Sequence, residues 1–267
     1  MDVLTRHRLR RLDLDPEALA TCAVAERVDR VYRRFVQAVP YETFSALARR
    51  RERPAEPAQW PRGTDRLLDD VARAGLGGTC FSLAYALADL FRGVGANAHT
   101  ALGQHLRKEA PHAATIVYGE DGPRLYDPSF LVGHGLPVWP GAALDDGIFR
   151  YELEPRCGAL LVLVQATRAG TRTPLYSLVP MPAPPDAYRR LWVEAVRGLP
   201  SRPGRLARRV GDEIRWFGED VGRIDVITPT GRREVPVGPE LVATLHRLFG
   251  VSEDALRAHL ASAPVAP

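Results

Sequence analysis

The segment that most constrains this chain runs from Leu76 to Gly95, where a glycine pair feeds a short helix that ends on two further glycines. Gly77 and Gly78 permit a tight, closely approached turn that a Cβ would obstruct. Thr79 is placed to cap the helix that follows, with Ser82 in its first turn. Phe81, Ala84, Leu87, Ala88 and Phe91 recur at helical spacing, which predicts a helix burying one face. Gly93 and Gly95 close it. Cys80 therefore stands in the first turn, where unpaired N–H groups and the positive end of the helix dipole favour thiolate over thiol. A cysteine so placed also serves as an inert core residue, so its partners decide its meaning.

His112 and Asp127 are the candidate partners. Residues 113–118 and 123–126 read as two strands joined by Gly119-Glu120-Asp121-Gly122, a β-hairpin signal. Side chains alternate faces along a strand, so the register decides whether His112 and Asp127 meet. A loop with an even number of residues sets position 114 or 116 opposite 127 and puts His112 on the face of Asp127, within diagonal reach. An odd loop puts the two on opposite faces. The first arrangement lets a carboxylate orient an imidazole that deprotonates Cys80, giving the nucleophile, base and orienter of a covalent catalyst. The second leaves an incidental histidine and a turn-capping aspartate.

In Gly77-Gly78-Thr79-Cys80-Phe81, then His112, then Tyr126-Asp127-Pro128-Ser129-Phe130, the chain resembles the arylamine N-acetyltransferases. That family carries a Gly-Gly-x-Cys turn, a His and an Asp followed closely by Phe. Its Pro-Phe-Glu-Asn signature corresponds to Pro40-Tyr41-Glu42-Thr43 here, and the resemblance spans essentially the whole chain. It implies an α+β fold: an N-terminal helical bundle, a central small β-barrel and a C-terminal α/β lid around a papain- or transglutaminase-type cysteine core. It implies catalytic roles for Cys80, His112 and Asp127, and a substrate pocket lined by Tyr41 and Phe130, aromatics that plain core packing would equally explain. It also implies acetyl-CoA, or another acyl thioester, as donor substrate, with no permanently bound cofactor. The departures are Leu76 for the Arg usual before the glycines, Ser82 for the Glu usual two residues after the cysteine, and Thr43 for Asn. They leave the chemistry better supported than the arylamine substrate. The Cys-to-Asp segment also resembles the core of transglutaminase-like proteins.

A chain of 267 residues builds a large core or two to three small domains. Its 45% hydrophobic and 25% charged residues are those of an ordinary globular protein. Lys108 is the sole lysine, and the arginines are scattered among 32 acidic residues rather than gathered on one face. That distribution argues against a nucleic-acid partner. Cys22, Cys80 and Cys157 show no Cys-x-x-Cys spacing, which argues against a metal site or a disulfide scaffold. No apolar run approaches the length of a membrane span and the N-terminus lacks a signal core, so no membrane partner and a cytoplasmic location are expected.

Taken in order, residues 1–95 read as a helical domain carrying the nucleophile, 96–185 as a β-barrel domain carrying His112 and Asp127, and 186–267 as the lid. Asp15-Pro16-Glu17 signals a helix start, and Leu19, Cys22, Val24, Val28, Val31, Phe35 and Val36 make an apolar stripe. The arginines of the Pro-rich stretch 51–62 read as solvated. Short strands follow from Ala98, with Cys157 beside one and expected to pack. A break at 200–203 precedes further strands, and Leu241, Leu245 and Leu248 mark a closing helix that Leu256 and Leu260 continue. The last five residues should fray.

The functional expectation is acyl transfer from a thioester through a Cys80 acyl-enzyme to a small-molecule amine. The donor is an acyl-CoA or a carrier-protein thioester, and an amide-forming biosynthetic role fits the same chemistry. A transglutaminase-like or protease-like hydrolase or amidotransferase is the alternative. A catalytically silent binding module of the same fold is the third.

Overall fold

The computed structural model describes every residue except 54, 108–109, 158–159, 168–169, 201–203, 219–221 and 262–267. Residues 201–203 of the break expected at 200–203, and the fraying tail, lie outside the described residues. Helices α1 (Val3–Arg10), α2 (Pro16–Ala20) and α3 (Val24–Ala38) open the chain, followed by the two-residue strand β1 (Tyr41–Glu42). Helices α4 (Phe44–Glu52), α5 (Thr64–Ala74) and α6 (Cys80–Gly93) complete the helical part. Asp15 caps α2 by accepting from Glu17 N at 3.0 Å, as its sequence signal predicts. Val28, Val31, Phe35 and Val36 of α3 are buried, whereas Val24 is exposed and Cys22 only half-buried. The stripe thus ends short of Cys22, which precedes α3.

Helix α6 departs from the one-faced helix that its spacing predicts. Leu83, Ala84, Ala86, Leu87, Ala88 and Leu90 are all buried, because α6 lies between the helical layer and the first strands of the sheet. A helix apolar nearly all round belongs in an interior.

The central sheet comprises β2 (Asn97–His105), β3 (Pro111–Gly119), β4 (Gly122–Tyr126), β5 (Leu136–Pro137), β6 (Ala143–Asp145), β7 (Arg150–Pro155), β8 (Leu161–Ala166) and β9 (Arg172–Leu178). Its order is β5-β4-β3-β2-β9-β8-β7-β6, antiparallel throughout, and its edges β5 and β6 come together as a nearly closed barrel. Tyr151, Leu153, Leu163 and Tyr176 fill its interior. Cys157 is exposed, not packed as the sequence suggests, because it falls beyond the end of β7.

Helix α7 (Pro185–Arg197) follows, then β10 (Leu206–Val210), β11 (Glu213–Phe217), β12 (Arg223–Thr228), β13 (Gly231–Pro236) and helices α8 (Leu241–Phe249) and α9 (Glu253–Ala261). Gly250 at φ +71° separates α8 from α9, so Leu256 belongs to a second helix rather than to a continuation of the first. The second sheet runs β1-β10-β11-β12-β13. Its edge is β1, from the helical part of the chain, and Phe44 of α4 lies in the same core as Leu206, Phe217, Leu245 and Phe249. Among the described residues, no helix is long and apolar enough to cross a membrane.

Candidate active site

The site begins with the close approach that Gly77 and Gly78 allow. Gly77 lies so near Pro40 that a Cβ would stand 1.8 Å from the Pro40 carbonyl oxygen. Gly78 donates to Pro40 O at 3.3 Å and accepts from Glu42 N at 3.0 Å. The Pro40–Thr43 motif is thereby bound to the turn that delivers Cys80, although the two are far apart in the chain. Thr79 occupies the N-cap position of α6 but makes no side-chain cap; its buried hydroxyl has no partner among the described residues. Cys80 is buried at the first position of the helix, where its N–H has no intrahelical acceptor.

Beneath this turn lies Arg62, which its arginine-rich stretch had suggested to be solvated. It is buried, 4% exposed. Its guanidinium donates to Gly77 O, to Ser45 Oγ at 2.7 Å and to Asp70 Oδ2 at 2.7 Å, and stands 3.5 Å from Glu42 Oε1. Glu42, fully buried, accepts from Ser45 N at 2.8 Å at the start of α4. Thr43 ties the motif onward: its Oγ1 accepts from Arg205 N at 2.9 Å.

His112 and Asp127 meet because the hairpin loop is even. Gly119 pairs with Gly122 across a turn of Glu120 and Asp121, and Thr115 pairs with Tyr126. Continued by one step, that register sets Ala114 opposite Asp127, with His112 diagonal to it on the same face. His112 Nε2 lies 2.8 Å from Asp127 Oδ2, and both side chains are 1% exposed. Asp127 Oδ1 accepts from Ser129 N, Ser129 Oγ and Phe130 N at 3.0, 2.7 and 3.2 Å, which fixes the carboxylate in its turn. Because the carboxylate needs a donor, Nε2 carries the proton in the neutral ring and Nδ1 keeps its lone pair. Among the described residues Nδ1 has no hydrogen-bond partner, and Cys80 is the thiol beside the ring.

Burial alone would discharge the His112 ring, but the Asp127 carboxylate and then Cys80 outweigh it, and the imidazole is pushed up to about 10. For Asp127, burial opposes ionisation, yet His112, Ser129 and the Tyr176 hydroxyl hold the carboxyl below its ordinary range. The site therefore stabilises, beside the Asp127 carboxylate, the imidazolium that His112 becomes once Nδ1 has accepted a proton.

Aromatic rings enclose the pair. Tyr176 of β9 stands 4.1 Å from the His112 ring centroid and Phe130 stands 5.3 Å from it. Tyr41, half-buried, stacks on Trp216 at 6.2 Å and lies near enough to Cys80 for the thiol to add to its upward shift, which burial dominates. Tyr188 of α7 donates to Phe81 O at 2.6 Å, holding α7 over the start of α6. The structure thus brings together Cys80, His112, Asp127, Tyr41 and Phe130. Sequence reasoning missed the places of Arg62, Tyr176 and Tyr188. Alternation in 172–178 places Tyr176 on one face, but nothing local says that this face meets His112. Among the described residues, no group of three or more His, Cys, Asp and Glu side chains could hold a metal ion.

No model of a known protein family matches the chain, and no curated protein does. Solved structures match it almost end to end. The arylamine N-acetyltransferase of Mycobacterium marinum is similar with a TM-score of 0.77 and 17% identity, over 97% of this chain and 99% of that one. A second structure of that protein, in complex with CoA, gives 0.77 and 16% over 99% and 100%. The Nocardia farcinica arylamine N-acetyltransferase gives 0.75 and 20% over 98% and 94%. At these identities the likeness is one of backbone architecture: the chain has the fold of the arylamine N-acetyltransferases.

Proposed function

We propose that this protein is a cysteine-dependent N-acyltransferase that carries an acyl group from a thioester, through a Cys80 acyl-enzyme, to an amine. The observation that carries the reading is the line Asp127–His112–Cys80, in which one imidazole nitrogen is held by a carboxylate and the other is left open beside the thiol. His112 takes the Cys80 proton at Nδ1, and the thiolate attacks the thioester carbonyl. The Cys80 N–H at the start of α6 is a donor for the oxyanion that forms. The imidazolium then protonates the departing thiol, which leaves an acyl-cysteine and a neutral ring. An amine attacks in turn, His112 removes its proton, and Cys80 departs as thiolate. Asp127 holds the tautomer and stabilises the imidazolium at both stages.

Acetyl-CoA is the proposed donor, since the M. marinum arylamine N-acetyltransferase, of the same fold, forms a complex with CoA. A carrier-protein thioester meets the same catalytic requirements. Tyr41 and Phe130 line the pocket that receives the acyl group and the acceptor. Intact-mass measurement after incubation with acetyl-CoA, and separately with a peptide amide, tests the reading. The expected result is one acetyl group on wild-type protein, absent from Cys80→Ser and discharged by an added amine. An adduct formed from the peptide alone would make the protein an amidase or amidotransferase, and no adduct from either would overturn acyl transfer.

A further inference from the structure

Behind Phe130 the chain makes a turn that a buried ion pair holds, and the mechanism above uses neither. Leu131 takes φ +56°; among the described residues, Asp13 is the other non-glycine residue with a positive φ. A side chain resists that region because its Cβ crowds the neighbouring carbonyl, so the surroundings must hold it there. Arg209 Nη1 donates to Leu131 O at 2.9 Å, the Tyr32 hydroxyl donates to Val132 O at 2.5 Å, and Val132 N donates to Asp127 O at 3.3 Å. Arg209 belongs to β10 of the second sheet, yet the barrel anchors it: its guanidinium donates to Asp146 Oδ2 at 2.7 Å and to Asp146 O at 3.1 Å. Asp146 also accepts from Gly133 N at 3.0 Å and from Ile148 N and Phe149 N at 3.0 and 2.9 Å. Both members of the pair are buried, and a Cβ on Gly133 would stand 3.1 Å from the guanidinium carbon.

The Leu131 side chain lies in one core with Ala207 and Ile214 of the second sheet, against which Tyr41 and Trp216 pack. The turn is thus a joint. On its barrel side Phe130 stands 5.3 Å from the His112 ring, and on its other side Leu131 is set into the sheet whose edge strand carries Tyr41. We propose that Arg209, paired with Asp146, is a positioning residue that sets acyl-chain selectivity by holding Phe130 at a fixed place relative to the Tyr41 sheet. The inference rests on the acyl-transfer reading and on Phe130 as a wall of the pocket. A pocket keeps its shape only where its lining residues are themselves locked from behind, and here the lock is the guanidinium on the Leu131 carbonyl. An acyl chain longer than acetyl must push Phe130 aside, which the joint resists.

The test follows single-turnover acylation of the full-length protein by p-nitrophenyl acetate and p-nitrophenyl hexanoate. In each case the Cys80 sulfur takes the acyl group and p-nitrophenolate leaves, a burst that Cys80→Ser must lack. Arg209→Gln combined with Asp146→Asn removes both charges together, so that neither is left buried alone. This variant should raise the hexanoate-to-acetate ratio of acylation rates by about tenfold or more, as Phe130→Ala should by itself. Adding Phe130→Ala to it should leave the ratio within about twofold of Phe130→Ala alone, because the pair acts through that ring. Equal slowing of both esters, the mark of a structural role, overturns the proposal. An unchanged ratio overturns it too, as does an effect that multiplies in full with that of Phe130→Ala, or a Phe130→Ala ratio equal to wild type. If the charge-free variant does not fold, Gly133→Ala decides: its Cβ presses on the guanidinium while both charges stay, and the ratio should rise by about twofold or more. A Gly133→Ala ratio equal to wild type then overturns the proposal. Failure of wild type to form an acyl-enzyme from either ester overturns the acyl-transfer reading and this inference with it, whereas normal acylation with an unmoved ratio overturns this inference alone.

Discussion

Two buried charge pairs flank Cys80, and they are built in opposite ways. His112 and Asp127 lie on one hairpin, 2.8 Å apart, each 1% exposed, and the imidazole keeps one nitrogen open. Arg62 and Glu42 come from a loop and a two-residue strand, 3.5 Å apart, with the guanidinium also engaged by Asp70, Ser45 and Gly77. The first pair leaves Nδ1 without a partner among the described residues, with the Cys80 thiol beside the ring. The second ends in backbone and fixed acceptors, with no proton to give or take in a reaction. It stands where the resemblance leads one to look for charge near the glycine turn, which Leu76 and Ser82 do not supply. A guanidinium from elsewhere in the chain holds the turn instead. Burial of charge near Cys80 thus does not by itself mark a catalytic group; what sets the proposed base apart is a ring nitrogen beside the thiol that no described residue occupies.

The sharpest way to break the comparison is to remove the base. His112→Ala should lower the rate of Cys80 acetylation by acetyl-CoA by about three orders of magnitude or more, since members of such a unit fail together. Asp127→Asn should approach the same loss, because an amide next to Nε2 can hold the wrong tautomer. Both are read by single-turnover acylation on protein whose circular dichroism matches wild type. A loss under about tenfold for His112→Ala would remove the distinction between the two pairs.

The second pair should show its effect in folding. Arg62→Met leaves Glu42 buried without its cation, and removing one partner of a buried pair costs about 3–5 kcal/mol. For a chain of 267 residues this corresponds to a fall in melting temperature of roughly 10 °C. Adding Glu42→Gln should recover part of it, because the unpaired charge is then gone. Acylation per folded molecule should stay within about tenfold of wild type, far from the loss at His112. A stable Arg62→Met variant with a collapsed acylation rate would mean that the guanidinium acts on the chemistry.

The difference between the pairs also explains what could be read in the chain. His112 and Asp127 were legible because one hairpin sets their relation, and the remaining unknown was the parity of a single turn. Strands 113–118 and 123–126 lie inside β3 and β4 for the same reason: period-two alternation and Gly119 to Gly122 are local signals. Arg62 was illegible because its burial depends on Glu42, Asp70 and Gly77 reaching it from three elements. β1 was illegible too: two residues carry no period, and its partner β10 lies far away in the chain. The one-faced expectation for α6 failed at Leu83, Ala86 and Leu90, which meet neighbours from elsewhere in the fold. His105 resembles any exposed strand histidine until the register of β2 places it against His112.

The smallest expected effect separates the pairs by pH. His112 is raised in the folded protein to about 10, so its contribution to stability is complete below its unfolded value near 6.5 and is lost as pH climbs toward 10. Asp127 is lowered, so its contribution is present above about pH 4 and is lost as pH falls through its folded value. Urea midpoints for wild type should therefore decline between pH 7 and pH 9.5. In Asp127→Asn the charge that holds the imidazolium is absent, and this part of the decline should vanish. Arg62→Met leaves the hairpin pair intact, so its midpoints should sit lower at every pH but run parallel to wild type. The comparison of slopes cancels other groups that titrate in the same range, because they are common to all three proteins. An Asp127→Asn curve parallel to wild type would mean that the imidazole is not held charged by that carboxylate.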